Sequence, residues 1–329
     1  MFRRTLLGTA LAAPVLVGRS AQAQTRLRWA HVYETNEPYH TQAVWAAQQI
    51  QQRTSNRWAI EVFPASALGN EPTINQGLAL GTVDMIYTGV AFAGATYKPI
   101  SITNAPYALR DFEHFTSYRN SDLLREMMGG YNRQTGHNAL ALTYYGERHV
   151  TANRSVLRPE DMRGMKLRVP QAPLFLMFTR SVGANATPIA FAEVYLALQQ
   201  GTVDGQENPL PTIQAKKFYE VQSHISLTGH ITESLLTILS GNTWRRLNDA
   251  DKATFQEVLK EASDRATNEI REQELALPAW FEQQGKTVQR PDRAAFRAAA
   301  VPLHNDAAAG AGWTREQYDR LQALGARPG

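Results

Sequence analysis

Two arginines and an asparagine are the residues of this chain whose types and settings could do chemistry: Arg148 in Y-G-E-R-H-V-T, Arg168 in M-R-G-M-K-L-R-V-P and Asn208 in Q-E-N-P. A guanidinium presents a planar fork of N–H donors that fits a carboxylate with two parallel bonds, and Arg168 closes a strand-like run just before Pro170, a position that aims a side chain into a cleft. An asparagine amide can donate to the same carboxylate and accept from a neighbouring hydroxyl. Such donors could hold an anion. Each residue also has a plainer use: Arg168 in a structural ion pair, Arg148 as a solvated surface charge, Asn208 as a turn residue before proline.

Bond-making machinery has no local support. No G-x-S-x-G elbow, G-x-x-x-x-G-K-[ST] loop, H-E-x-x-H helix or G-x-G-x-x-G turn occurs. The eight histidines are scattered, and His224 and His230, six apart, do not share a helical face. Only a carboxylate pair assembled in three dimensions is left open as a catalytic device. The chain has no cysteine, which excludes disulfides, thiol chemistry and Cys-ligated metals.

The elements that must position these residues follow from periodicity. The first 23 residues read as a secretory leader: a basic start at Arg3-Arg4, an apolar run from Leu6 to Val17 and an A-x-A site at 21–23, with cleavage after Ala23 and export by the general or the twin-arginine route. The leader removes three of the 34 basic residues, leaving 31 against 30 acidic ones, a net charge of +1. The sequence pI of 9.3 therefore overstates the basicity of the mature chain, and with no basic block nucleic acid is not an expected partner. No later run approaches the roughly 18 apolar residues of a membrane span.

Strands are predicted at 27–32, 59–63 and 83–87, with helices at 38–50 and 72–80, the opening of an α/β lobe with a mainly parallel sheet. A second round has strands at 139–148 and 165–169 and helices at 172–183, 191–200 and 211–219. A strand at 235–240 and a long helix over 249–284, kinked at Pro278, follow. The tetrapeptide G-T-V-D occurs twice, at Gly81–Asp84 and at Gly201–Asp204, each time after an apolar helical stretch. Each copy predicts a helix stopped by glycine that re-enters a sheet, the same corner in two lobes. With no Pro/Gly/Ser linker, the lobes are expected to be joined by crossing strands.

Y-G-E-R-H-V-T, M-R-G-M-K-L-R-V-P and the run G-A-N-A-T-P-I-A-F-A-E-V-Y-L-A-L-Q-Q-G-T-V-D-G-Q-E-N-P, in that order behind a leader, resemble the substrate-binding proteins of tripartite ATP-independent periplasmic (TRAP) transporters, of the dicarboxylate-binding type. The resemblance covers essentially the whole mature chain. It implies a bilobal periplasmic-binding-protein fold, α/β, with two lobes of mixed, mainly parallel sheets, 24–145 with 234–273 and 146–233 with 274–329. A cleft lies between them and the long helix lies across both. It implies a binding protein and not an enzyme, needing no cofactor and acting as a monomer, that delivers an organic acid to the small and large permease subunits.

By motif, Arg168 holds the carboxylate, Arg148 and Asn208 assist it, and Phe191 packs on the ligand. Glu71, Tyr33, Tyr87 and Gln171 are further pocket candidates. The chain departs from the sialic-acid binders of this family: Val32, Gly89 and Phe92 stand where those carry asparagine, glutamate and arginine. The expectation is a smaller or less hydroxylated acid than sialic acid. Two readings compete with this one, the receptor of another transporter class and a secreted hydrolase on a bilobal scaffold.

Overall fold

The computed structural model describes residues 24–325; the leader and its cleavage site lie outside the described residues. Among the described residues nine strands form one sheet: β1 (Thr25–Ala30), β2 (Trp58–Phe63), β3 (Met85–Gly89), β4 (Asn138–Ala152), β5 (Lys166–Val169), β6 (Asn185–Pro188), β7 (Gly205–Pro209), β8 (His224–Leu239) and β9 (Thr287–Gln289). Their order is β2-β1-β3-β8-β4-β7-β5-β6, with β9 beside β8. Parallel pairing holds β2, β1 and β3 at one end and β7, β5 and β6 at the other. The two ends meet through antiparallel β4 and β8, which run alongside each other from Asn138 opposite Leu239 to Ala152 opposite His224. These are the crossing strands that the missing linker called for. Sequence reading placed only 235–240 of β8, because His224 to Ser234 mixes Thr, Ser, His and Glu into a run whose burial comes from both faces being covered.

The repeated corner takes the same form twice. After helix α2 (Glu71–Leu80), Gly81 adopts a left-handed φ of 72°, and after the helix Val194–Gln199 Gly201 does so at 68°, a conformation that a β-carbon disfavours. The aspartate then ties down the strand beside it. Asp84 Oδ2 accepts from the Arg28 amide at 2.9 Å and Asp204 Oδ2 from the Lys166 amide at 2.8 Å, while each aspartate's own amide donates to the carbonyl of that same partner at 2.9 Å. Between them Val83 and Val203 are buried. One tetrapeptide thus stops a helix, fills the core and fixes register against β1 in one place and against β5 in the other.

Several helices differ from expectation in detail. The expected helix 172–183 is a 3-10 turn, Pro173–Phe175, leading into Leu176–Val182, and 191–200 begins with a 3-10 turn before Val194. Lys217, at φ 57°, splits 211–219 into Leu210–Ala215 and Phe218–Val221. The long helix Asp249–Gln283 is capped by the Asn248 side chain and carries Pro278 in its interior. It packs on α1 (Pro38–Arg53) and β4, and also on the helix Leu210–Ala215, so it touches elements from both ends of the sheet.

The two ends also bond directly to one another. Thr212 Oγ1 donates to Glu37 Oε1 at 2.8 Å, and Lys216 Nζ lies 2.6 Å from Glu34 Oε1. Glu37 is only 1% exposed, and burial raises its pKa from 4.5 to about 7. A carboxyl raised in the folded state contributes stability that is complete below the unfolded value and is lost as pH rises through the folded one. Glu37→Gln is neutral throughout. Its stability relative to the parent is expected to improve, by on the order of 3 kcal/mol, between pH about 4.5 and pH about 8, read from denaturant titrations across that range. A flat difference would show that Glu37 is solvated as well folded as unfolded.

Candidate ligand-binding site

The carboxyl end of β5 carries Arg168, flanked by buried Leu167 and Val169, and the chain leaves the sheet at Pro170. Open α/β sheets bind ligands at that end of their strands. Beside it lie β7, bringing Asn208, β4, bringing Arg148, and β8, bringing Glu233; Arg148 faces Pro209 on one side and Ile231 on the other. From the opposite side of the molecule come Val32 and Tyr33 after β1, Asn70 and Glu71 at the start of α2, Gly89 at the end of β3 and Phe92 just beyond it. Together they line a small cavity of about 30 Å³.

The two arginines differ in a way that the sequence did not show. Arg168 is 2% exposed; its Nε and Nη2 donate to the Ile189 carbonyl at 3.0 and 2.7 Å, and its guanidinium carbon stands 5.9 Å from the centre of the Phe191 ring. Its Nη1 is buried and has no partner among the described residues. Burial brings its pKa down to about 10. An unpaired donor on a buried cation is costly, and an incoming anion removes that cost.

Arg148, equally buried, bonds two carboxylates through all three of its nitrogens. Its Nε pairs with Glu207, its Nη1 with Glu233, and its Nη2 donates to the Glu207 carbonyl at 2.6 Å and to Glu207 Oε1 at 2.7 Å. Burial alone would lower its pKa, but Glu207 and Glu233 hold it above the usual arginine value. One expectation is corrected here. Arg148 is not a solvated charge: it is buried against Glu207 and Glu233, while it still lines the cavity. Glu207 stood in view beside Asn208 in Q-E-N-P. Glu233 could have been found as the one charge in I-T-E-S-L-L-T-I-L.

Of the other candidates, Tyr33, Glu71, Gln171, Phe191 and Asn208 all line the cavity, as do Val32, Gly89 and Phe92. Tyr87 does not. It is 1% exposed, with its ring 4.9 Å from Trp29 and 6.1 Å from His31, and serves the core under β1 and β3. Tyr33 packs on Tyr145 and Phe191 at 5.3 and 6.4 Å. Gln171 accepts from Asn70 across the cavity mouth at 3.5 Å. The Asn208 amide donates to Gln206 at 2.6 Å.

Residues 29–310 match the family model described as bacterial extracellular solute-binding protein, family 7. The chain belongs to that family. Its members are receptors for solutes, and the match covers both ends of the sheet and every cavity residue named above. The chain is 34% identical over 287 residues to the sialic acid-binding periplasmic protein of Vibrio cholerae, covering 87% of this chain and 89% of that one. Its fold is similar to that of a TRAP periplasmic solute-binding protein of a Polaromonas species bound to D-erythronate, with a TM-score of 0.87 at 30% identity over 92% of this chain and all of the other. It is similar as well to one from Roseobacter denitrificans with bound L-galactonate, with a TM-score of 0.84, 30% identity, and 92% and 98% of the two chains covered. The chain is thus a family 7 solute-binding protein, and the arginine left unpaired in its cavity suits it to an anionic solute.

Proposed function

We infer that the protein binds one organic acid in the periplasm and hands it to the small and large subunits of a TRAP permease, with Arg168 Nη1 as the partner of the acid's carboxylate. The observation that carries this reading is the unpaired donor on a buried guanidinium that lines the cavity. Asn208 and Phe191 flank that carboxylate, and Tyr33 and Gln171 close over the rest of the ligand. The leader is removed after Ala23, and the mature protein binds without turning the ligand over.

The two ends of the sheet act as lobes, 24–145 with 234–273 and 146–233 with 274–329. The contacts Glu37–Thr212, Glu34–Lys216 and Asn70–Gln171, each joining the two, belong to the closed clamp. Calorimetry with an acid and its methyl ester tests the reading: the acid binds, and the ester, which has no anion to offer Arg168, does not. An ester that binds as well as its acid overturns it. Small-angle scattering on the same samples should show compaction when the acid saturates, and an unchanged radius of gyration overturns the clamp.

A further inference from the structure

The seam between the two ends of the sheet holds a chain of three oxygens that leads to the ligand cavity. Glu37 Oε1, from the residue just before α1, stands 2.8 Å from Thr212 Oγ1 on the helix Leu210–Ala215, and the same Thr212 oxygen stands 3.1 Å from the hydroxyl of Tyr145 on β4. All three residues are buried, and Tyr145 lines the cavity. Its hydroxyl lies near enough to the two arginines for the charge of Arg148 to act on it and for its own to act on Arg168. Thr212 has one hydrogen and two oxygen neighbours, so it donates to only one of them at a time.

With Glu37 ionised, Thr212 turns its hydrogen to the carboxylate, and Tyr145 donates its own to Thr212. With Glu37 protonated, the carboxyl donates to Thr212, Thr212 donates to Tyr145, and the phenol hydrogen is released. The other carboxyl oxygen takes no part in the exchange, because the Glu34 amide donates to it at 2.7 Å. Resting on the reading that an acid binds beside Arg168, we propose that Glu37, Thr212 and Tyr145 form a hydroxyl relay across the seam, and that one proton taken from solvent by Glu37 makes Tyr145 a hydrogen-bond donor to the bound acid. When Glu37 is ionised, Tyr145 reaches the acid only by giving up its bond to Thr212.

The groups facing Glu37 favour the uptake. Glu34, on the same loop, is a second carboxylate, and Lys216, beyond the helix Leu210–Ala215, pairs with Glu34 at 2.6 Å and not with Glu37. Tyr39 on α1 and Tyr145 on β4 are neutral phenols, both raised by burial, and His40 pairs with His31 instead. Burial holds the Glu37 carboxyl at about 7. The acid should therefore bind most tightly below that pH, and lose affinity as pH rises through it.

The test is calorimetry at pH 6 and pH 8 with D-erythronate, L-galactonate, lactate and succinate, carried forward with the acid that binds most tightly. The quantity read is the ratio of its affinities at the two pH values. Glu71, raised by burial to about 7 in the same cavity, contributes to this ratio in parent and variants alike, so comparing them isolates the relay. In Glu37→Gln the amide oxygen keeps the Glu34 bond and the NH2 donates to Thr212, which fixes Tyr145 as a donor. It should lower the ratio roughly threefold or more, by binding more tightly at pH 8. Tyr145→Phe should lower it too, by binding more weakly at pH 6. If Glu37 acted through its burial alone, Tyr145→Phe would keep the parent's ratio in full; that result overturns the relay, and so does a parent-like ratio in Glu37→Gln. Thr212→Val, which removes the middle oxygen, reads the same coupling if Glu37→Gln fails to fold. No binding by any of the acids overturns the reading of Arg168 and the relay with it, whereas binding with unaltered ratios overturns the relay alone.

Discussion

Arg168→Lys is expected to weaken binding of the acid by about 1.5–3 kcal/mol, roughly 10- to 150-fold, and to leave the melting temperature of the ligand-free protein close to that of the parent. The guanidinium does two jobs at once, holding the Ile189 carbonyl through Nε and Nη2 and leaving Nη1 for the ligand. A lysine has the charge but presents its donors from one point, so it cannot span the Ile189 carbonyl and the ligand as the planar fork does. The fold keeps its stability because no protein carboxylate is paired with Arg168, and none is left stranded. Calorimetry on the variant and thermal melting without ligand check the two halves of this expectation. Parent-like binding would mean that the carboxylate lies elsewhere in the cavity. A large drop in melting temperature would mean that Arg168 is chiefly structural.

Arg148→Ala is expected to do the reverse, destabilising the ligand-free protein by about 3–5 kcal/mol. Glu207 and Glu233 are 1% and 3% exposed, and Arg148 is the cation that both contact. Burial pushes the Glu207 carboxyl up, but Arg148 and His230 bring it below its ordinary value, whereas Glu233 stays raised by burial even with Arg148 bound. Removing the guanidinium leaves two buried carboxylates, of which only Glu207 contacts His230, whose own pKa is lowered by burial. The variant should regain part of the lost stability at low pH, where both carboxyls take up protons. Denaturant titration at pH 5 and pH 8 measures both effects. A variant as stable as the parent at pH 8 would show that water reaches this cluster and that Arg148 is not its keystone.

Two residues of one type, twenty positions apart and both buried near one cavity, thus have opposite expected readouts. The sequence alone determined a good deal: the alternation that makes β1, β2 and β5, the helical spacing of α1 and α2, and the G-T-V-D corners, whose glycine and aspartate act locally and so read the same in both places. It determined that Arg168 stands at a strand's carboxyl end, since Pro170 stops the strand whatever surrounds it.

Only the tertiary structure decided which arginine is free. That depends on the acids each one meets, and Arg148 meets Glu207 and Glu233 because β7 and β8 flank β4, a pairing across 59 and 85 residues of chain that no local pattern encodes. The same long-range pairing buried Tyr87 behind the sheet and not in the cavity. It also brought Glu71 and Glu233, 162 positions apart in sequence, to either side of Gly89. Strand and turn preferences act through neighbours in the chain, whereas the charge state and free valences of a site are set by whichever strands lie side by side, and strand order is a property of the whole fold.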